Sequence, residues 1–86
     1  MEINQLILLV KKKIKNNVSI ENILIEDKTY LHKSHSSHQV GKFHLKLIIK
    51  SSELRNISKI KSTKKIYTIL GEEIKKYIHS IQILIN

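Results

Sequence analysis

Lys42-Phe43-His44-Leu45-Lys46-Leu47-Ile48-Ile49-Lys50 is the stretch that decides the fold. Phe43, Leu45, Leu47 and Ile49 share one parity, and Lys42, His44, Lys46 and Lys50 share the other. Side chains alternate across a strand, so this run predicts a strand with one buried and one wet face. His44 falls on the wet parity and is expected to face solvent or a helix edge. A sheet that is apolar on one side must be covered there, and the flanking segments supply the cover.

Upstream, Ser19 to Asp27 carries Ile20, Ile23, Leu24 and Ile25, a short apolar run that reads as a second strand. Ahead of it, Ile3, Leu6, Ile7, Val10 and Ile14 fall at i, i+3, i+4, i+7 and i+11, the spacing of an amphipathic helix. Asn16 and Asn17 suit its end, and Lys13 and Lys15 complement the negative end of its dipole. The polar stretch from Thr29 to Lys42, which lies between the two strands, is longer than a tight hairpin needs, and loops of that kind are functional or disordered.

Downstream, Ser51, Ser52 and Glu53 open a short helix through Asn56, and Ser58 caps a longer one. Ile60, Ile66, Tyr67, Ile69, Leu70 and Ile74 give that helix its apolar side, with Gly71 in its middle suggesting close packing. In the last run, Ile78 to Ile85, His79, Ile81, Ile83 and Ile85 share one parity, predicting a third strand. The order is α-β-β-α-α-β. The first two strands should pair antiparallel, and the helical crossover lets the third join in parallel. The expected class is α+β, a three-stranded mixed sheet covered on one face by helices, in a single domain over residues 1–86.

Eighty-six residues with sixteen basic and seven acidic side chains carry a formal charge of +9. That balance favours anionic partners, although an Ile-, Lys- and Asn-rich composition is also what codon bias in an AT-rich genome produces. The chain has no cysteine, so a disulfide scaffold is excluded and a reducing, cytoplasmic setting is expected. The apolar run Leu6 to Val10 is too short to span a bilayer, and its lysines follow it, so neither a membrane span nor a signal peptide is expected. No nucleophile elbow or phosphate-binding glycine loop is present, and no catalytic role is expected.

The residues that carry chemistry are histidines. His32, His35 and His38 step by three through the polar loop, and His79 stands alone at the start of the last apolar run. Neutral imidazole is the commonest metal ligand, so a loop histidine can close on a metal held against a fixed one. A lone histidine at a strand edge equally serves as a backbone-bonded structural residue, so His79 has two readings. Without thiolates the chain can supply only part of a soft-metal or iron–sulfur site, and a partner must bring the rest.

Three stretches together resemble the BolA family, whose fold is similar to the class II KH domain. They are Ile25-Glu26-Asp27-Lys28-Thr29-Tyr30-Leu31-His32, the strand Phe43 to Ile49, and Ser51 to Asn86 with Ile66-Tyr67, Leu70, Glu72-Glu73-Ile74 and Ile78-His79-Ser80-Ile81. The resemblance implies a partner of a monothiol glutaredoxin, with which such proteins share a two-iron, two-sulfur cluster that also takes a glutathione thiolate. By position His32 matches the family's loop ligand and His79 its C-terminal ligand, with His35 and His38 as substitutes in the loop. The implied role is iron–sulfur trafficking or iron-dependent regulation, and the isolated chain is expected to be a cofactor-free monomer. The alternative is a DNA-binding transcriptional regulator that meets phosphates with Lys59, Lys61, Lys64 and Lys65. The family's basic-His-basic triplet stands here as Ser62-Thr63-Lys64, and its preceding aromatic and glycine as Leu54 and Asn56. With only Gly41 and Gly71 the chain has no Gly-x-x-Gly clamp, the device by which KH domains hold a single strand.

Overall fold

A computed structural model describes residues 1–29 and 42–86. Its elements are α1 (Ile3–Asn17), β1 (Asn22–Asp27), β2 (Phe43–Lys50), α2 (Ser52–Arg55), α3 (Lys59–Ile69), α4 (Gly71–Lys76) and β3 (Ile78–Ile85). The strands form one sheet in the order β1-β2-β3, antiparallel between β1 and β2 and parallel between β2 and β3. This is the predicted α+β mixed sheet, with β2 at its centre because the decisive stretch pairs on both sides.

The core lies between one sheet face and the helices. Leu6, Val10 and Ile14 of α1 and Ile66 of α3 are fully buried, as are Leu47 and Ile49 of β2, with Ile23 and Ile25 of β1 beside them. Each such side chain contributes on the order of 1.5–3 kcal/mol through the apolar surface it removes from water. The opposite face of the sheet carries Leu24, Ile48 and Leu84, which lie side by side in register across the three strands.

Local chemistry sets the boundaries. Glu2 and Gln5 form a reciprocal capping box at the start of α1, so two otherwise unpaired amides are satisfied there. Buried Ser51 accepts from the Leu54 N–H at the start of α2 and donates to the Ser19 carbonyl, which ties the helix to the segment before β1. Glu21 and Glu53 reach across the same junction. The Ser52 hydroxyl holds the Glu21 carboxyl below its ordinary range, with the Ser52 amide adding to the effect. For Glu53 the Ser19 N–H, assisted by Lys65, has the same effect.

Two expectations about the helices are corrected. The long helix after Ser58 is broken at Leu70, and Gly71 begins α4 with nothing within 4 Å of where a Cβ would sit. Gly71 therefore marks a junction, and no close packing occurs there. Ile60 is 80% exposed and Tyr67 is also exposed, so neither belongs to the core side of α3. Ser62 takes the inward position instead, four residues before Ile66 and eight before Leu70, with its hydroxyl donating to the Lys59 carbonyl.

Candidate functional site

The register of β2 against β3 slips at its first step. Phe43 pairs with Ile78, but His44 pairs with Ser80, leaving His79 as the extra residue of a β-bulge. From Leu45 onward the pairing is regular, with Leu45 opposite Ile81 and Leu47 opposite Ile83. The bulge lets Ile78 enter the core while Ile81, Ile83 and Ile85 pack against it. His79 is thereby separated from the parity it shares in the sequence with Ile81, Ile83 and Ile85, and it is exposed.

His44 meets it there. The two imidazole rings lie with centroids 4.9 Å apart and planes tilted by 56°. His44 is only 5% exposed, and its Nδ1 lies 2.6 Å from the Ser80 hydroxyl. This corrects the expectation of a solvent-facing or edge position for His44. Alternation places it away from the core correctly, but the neighbouring bulge and the chain leaving β1 cover it.

That departing chain is fastened to the same residue. The Lys28 N–H donates to the His44 carbonyl at 2.7 Å, and the His44 N–H donates to the Thr29 hydroxyl at 3.1 Å. Thr29 is itself held by Asp27, whose carboxylate accepts from both the Thr29 N–H and its hydroxyl. The chain therefore leaves the sheet beside His44 on its way to the other histidines. His32, His35 and His38 lie outside the described residues. A cavity of about 400 Å³ opens next to the pair, lined by Lys28, His44, Lys46, Ser80 and Gln82 among others.

Chemically, the described part of this site brings together two imidazoles and holds no thiolate. Among the described residues no group of three or more His, Asp or Glu side chains is placed to hold a metal ion. His44 was the residue that sequence reasoning undervalued. A signal for it was nevertheless present. Ile78 and Ile81 are of opposite parity, and one extra residue between them lets both turn toward the core; that residue, His79, comes to lie beside His44.

The lysines of the nucleic-acid reading, Lys59, Lys61, Lys64 and Lys65, are all exposed on α3. They do not form one cluster. Helical spacing places Lys61 and Lys64 on the outer side and Lys65 on the flank, while Lys59, in phase with Ser62 and Ile66 but at the exposed start of the helix, lines a groove with Ile83 and Ile85 of β3. Lys65 is already paired with the Glu53 carboxylate at 3.1 Å. Among the described residues no helix is long and apolar enough to cross a membrane.

Comparison with known proteins agrees with this architecture. The chain is 30% identical over 73 residues to the DNA-binding transcriptional regulator BolA of Haemophilus influenzae, covering 85% of this chain and 68% of that protein. The BolA domain of SufE1 from Arabidopsis thaliana matches in structure with a TM-score of 0.76 at 24% identity, over 92% of this chain and 87% of that one. BolA1 from Arabidopsis thaliana matches with the same TM-score at 21% identity and the same coverage. BolA1 from Mus musculus matches at 0.73 and 16% identity, over 92% of this chain and 62% of that one. The model of the BolA-like protein family, a non-enzymatic family, matches residues 14–86. With the helix order, the mixed sheet and the family's sequence pattern coinciding over that span, the chain belongs to the BolA-like protein family.

Proposed function

We propose that this protein pairs with a monothiol glutaredoxin and supplies the nitrogen ligands of a shared two-iron, two-sulfur cluster, in iron–sulfur trafficking or iron-dependent regulation. The observation that carries the reading is the bulge at Ile78 to Ser80, which exposes the His79 imidazole while a second, buried imidazole backs it. The residues fit such a group. Their donors are imidazole nitrogens, and the thiolates that iron also requires come from the partner and glutathione, because this chain has no cysteine.

His79 is the fixed ligand and His32 the loop ligand, with His35 and His38 able to replace it. Thr29, three positions before His32 in the sequence, bonds the His44 backbone. The His44 ring packs against His79 and, through Nδ1 and the Ser80 hydroxyl, limits how that face can rotate. Bound there, the cluster would supply a redox-active and transferable iron–sulfur unit, and mixed nitrogen and sulfur ligation raises its potential relative to all-thiolate ligation. Only neutral imidazole binds iron, so the complex should weaken on acidification.

The test is an anaerobic titration of a cluster-loaded monothiol glutaredoxin with this protein, followed by visible circular dichroism. A new spectrum that disappears with His79→Ala supports the reading. An unchanged spectrum, together with no complex in gel filtration, sinks it.

A second reading rests on the relative named a DNA-binding transcriptional regulator and on the exposed lysines of α3. It predicts DNA affinity that falls steeply with salt, weakens when Lys61 and Lys64 become alanine, and survives the double change His32→Ala and His79→Ala.

A further inference from the structure

The outer edge of β3 offers a second surface, on the far side of the strand from its pairing with β2. The Asn86 N–H donates to the Ile49 carbonyl at 2.8 Å, and the Asn86 carbonyl accepts from the Ser51 N–H at 3.3 Å, so Asn86 turns its backbone toward β2. Backbone groups alternate sides along a strand, so Ile81, Ile83 and Ile85 turn theirs outward. The Tyr67 hydroxyl marks the direction at one of them by donating to the Ile81 carbonyl at 3.4 Å. The outward groups of Ile83 and Ile85 face a groove.

That groove, of about 380 Å³, runs between β3 and the start of α3. Leu54, Ile57, Ile83 and Ile85 give it an apolar lining, Lys59 and Arg55 add positive charge, with the Arg55 guanidinium donating to the Asn86 main-chain oxygen at 2.7 Å, and among the described residues no carboxylate side chain lines it. Ile57 is 38% exposed and so is available to a ligand. Edge strands are ordinarily protected by charge, proline or a covering element. From Ile78 to Ile85 this one has no charged residue and no proline, in a protein of formal charge +9.

We infer that this groove takes an extended segment of a partner protein as a fourth strand, a segment whose apolar side chains alternate with acidic ones. Main-chain hydrogen bonds to Ile83 and Ile85 would supply affinity, the apolar lining would seat alternate side chains, and Arg55 and Lys59 would select carboxylates. Charge decides the occupant. A second copy also carries a formal charge of +9, so self-association through this edge is disfavoured where an acidic strand is attracted. The surface is independent of the histidine site, so the glutaredoxin reading can fail without affecting it.

The experiment uses the 86-residue chain and a fluorescein-labelled eight-residue peptide alternating valine and glutamate, read by anisotropy and by the amide resonances of the protein. Three controls accompany it: the same peptide with alternate amides N-methylated, a version with lysine for glutamate, and an oligodeoxythymidine of equal length. The expected result is saturable binding that shifts the Ile83 and Ile85 amides. Affinity should fall by roughly tenfold or more on N-methylation, the loss that about 1.4 kcal/mol of hydrogen bonding produces. The double variant Arg55→Glu, Lys59→Glu and the lysine peptide should each weaken binding, and Ile57→Glu tests the lining without touching the buried core. Binding that tolerates N-methylation overturns the proposal, as does no binding. Tighter binding of the oligonucleotide at the same amides overturns it in favour of a nucleic-acid groove.

Discussion

The two faces of the sheet obey the same alternation but differ in how far it determines burial. On the covered face, Leu45, Leu47 and Ile49 are buried by the helices, as a period of two predicts. On the open face, Leu24 and Leu84 are exposed, whereas His44, of the same alternate set in β2, is buried. The covered face is decided by the strand itself. The open face is decided by its neighbours, and where a bulge and a departing chain crowd one end, a polar residue acquires a packed environment. The candidate chemistry sits at that end.

The comparison is broken most severely from the covered side. Leu47→Ala should cost about 3 kcal/mol in urea unfolding, because the cavity is surrounded by packed side chains, whereas Leu84→Ala on the open face should cost less than about 1 kcal/mol. Equal effects would mean that the open face is covered in solution. His44→Ala should cost about 1–2 kcal/mol through lost packing and the lost Ser80 bond, while His79→Ala should leave stability within about 0.5 kcal/mol of the parent. If the two are equally costly, His79 is structural.

Acid sharpens the comparison by loosening the sheet at its opposite end. Glu21 and Glu53 titrate below their ordinary value of 4.5 in the folded protein. Their contribution is therefore complete above that value and is lost as pH falls through the lowered folded values. As pH falls below 4.5 the stability should decline, and Glu21→Gln with Glu53→Gln should flatten that decline while leaving the amide shifts of the His44 region unchanged. The smallest effect belongs to Gly71→Ala. With open space around the site and no left-handed backbone requirement, it should stabilise the protein by about 0.5 kcal/mol, and a loss in the thermal midpoint would contradict the junction described for α4.

Most of the architecture was legible because its determinants are local. The alternation of Phe43 to Lys50, the helical spacing of Ile3 to Ile14, and the serines before α2 and α3 each act over a few residues. The errors arose where position depends on a partner. Ile60 looks like core by composition, but the phase of α3 is set by Ile66 and Leu70, which place Ser62 inward instead. At the candidate site, His79 stood out in the sequence as a lone imidazole ahead of an apolar run. Its proximity to His44 could not follow from simple parity, because one extra residue in β3 reverses the side on which His79 would otherwise fall. The loop histidines remain readable only as chemistry, His32 foremost by family position.

The parallel pairing of β2 with β3 has a kinetic consequence. These strands are joined through the whole α2–α4 crossover, so their contacts close a long loop, whereas β1 and β2 close a shorter one. β3 should therefore be the last strand to gain protection during refolding and the first to lose it in native-state amide exchange. His44 would remain on the central strand through such an opening while His79 departs. The two imidazoles would then part and meet on the timescale of local unfolding, without loss of the rest of the sheet.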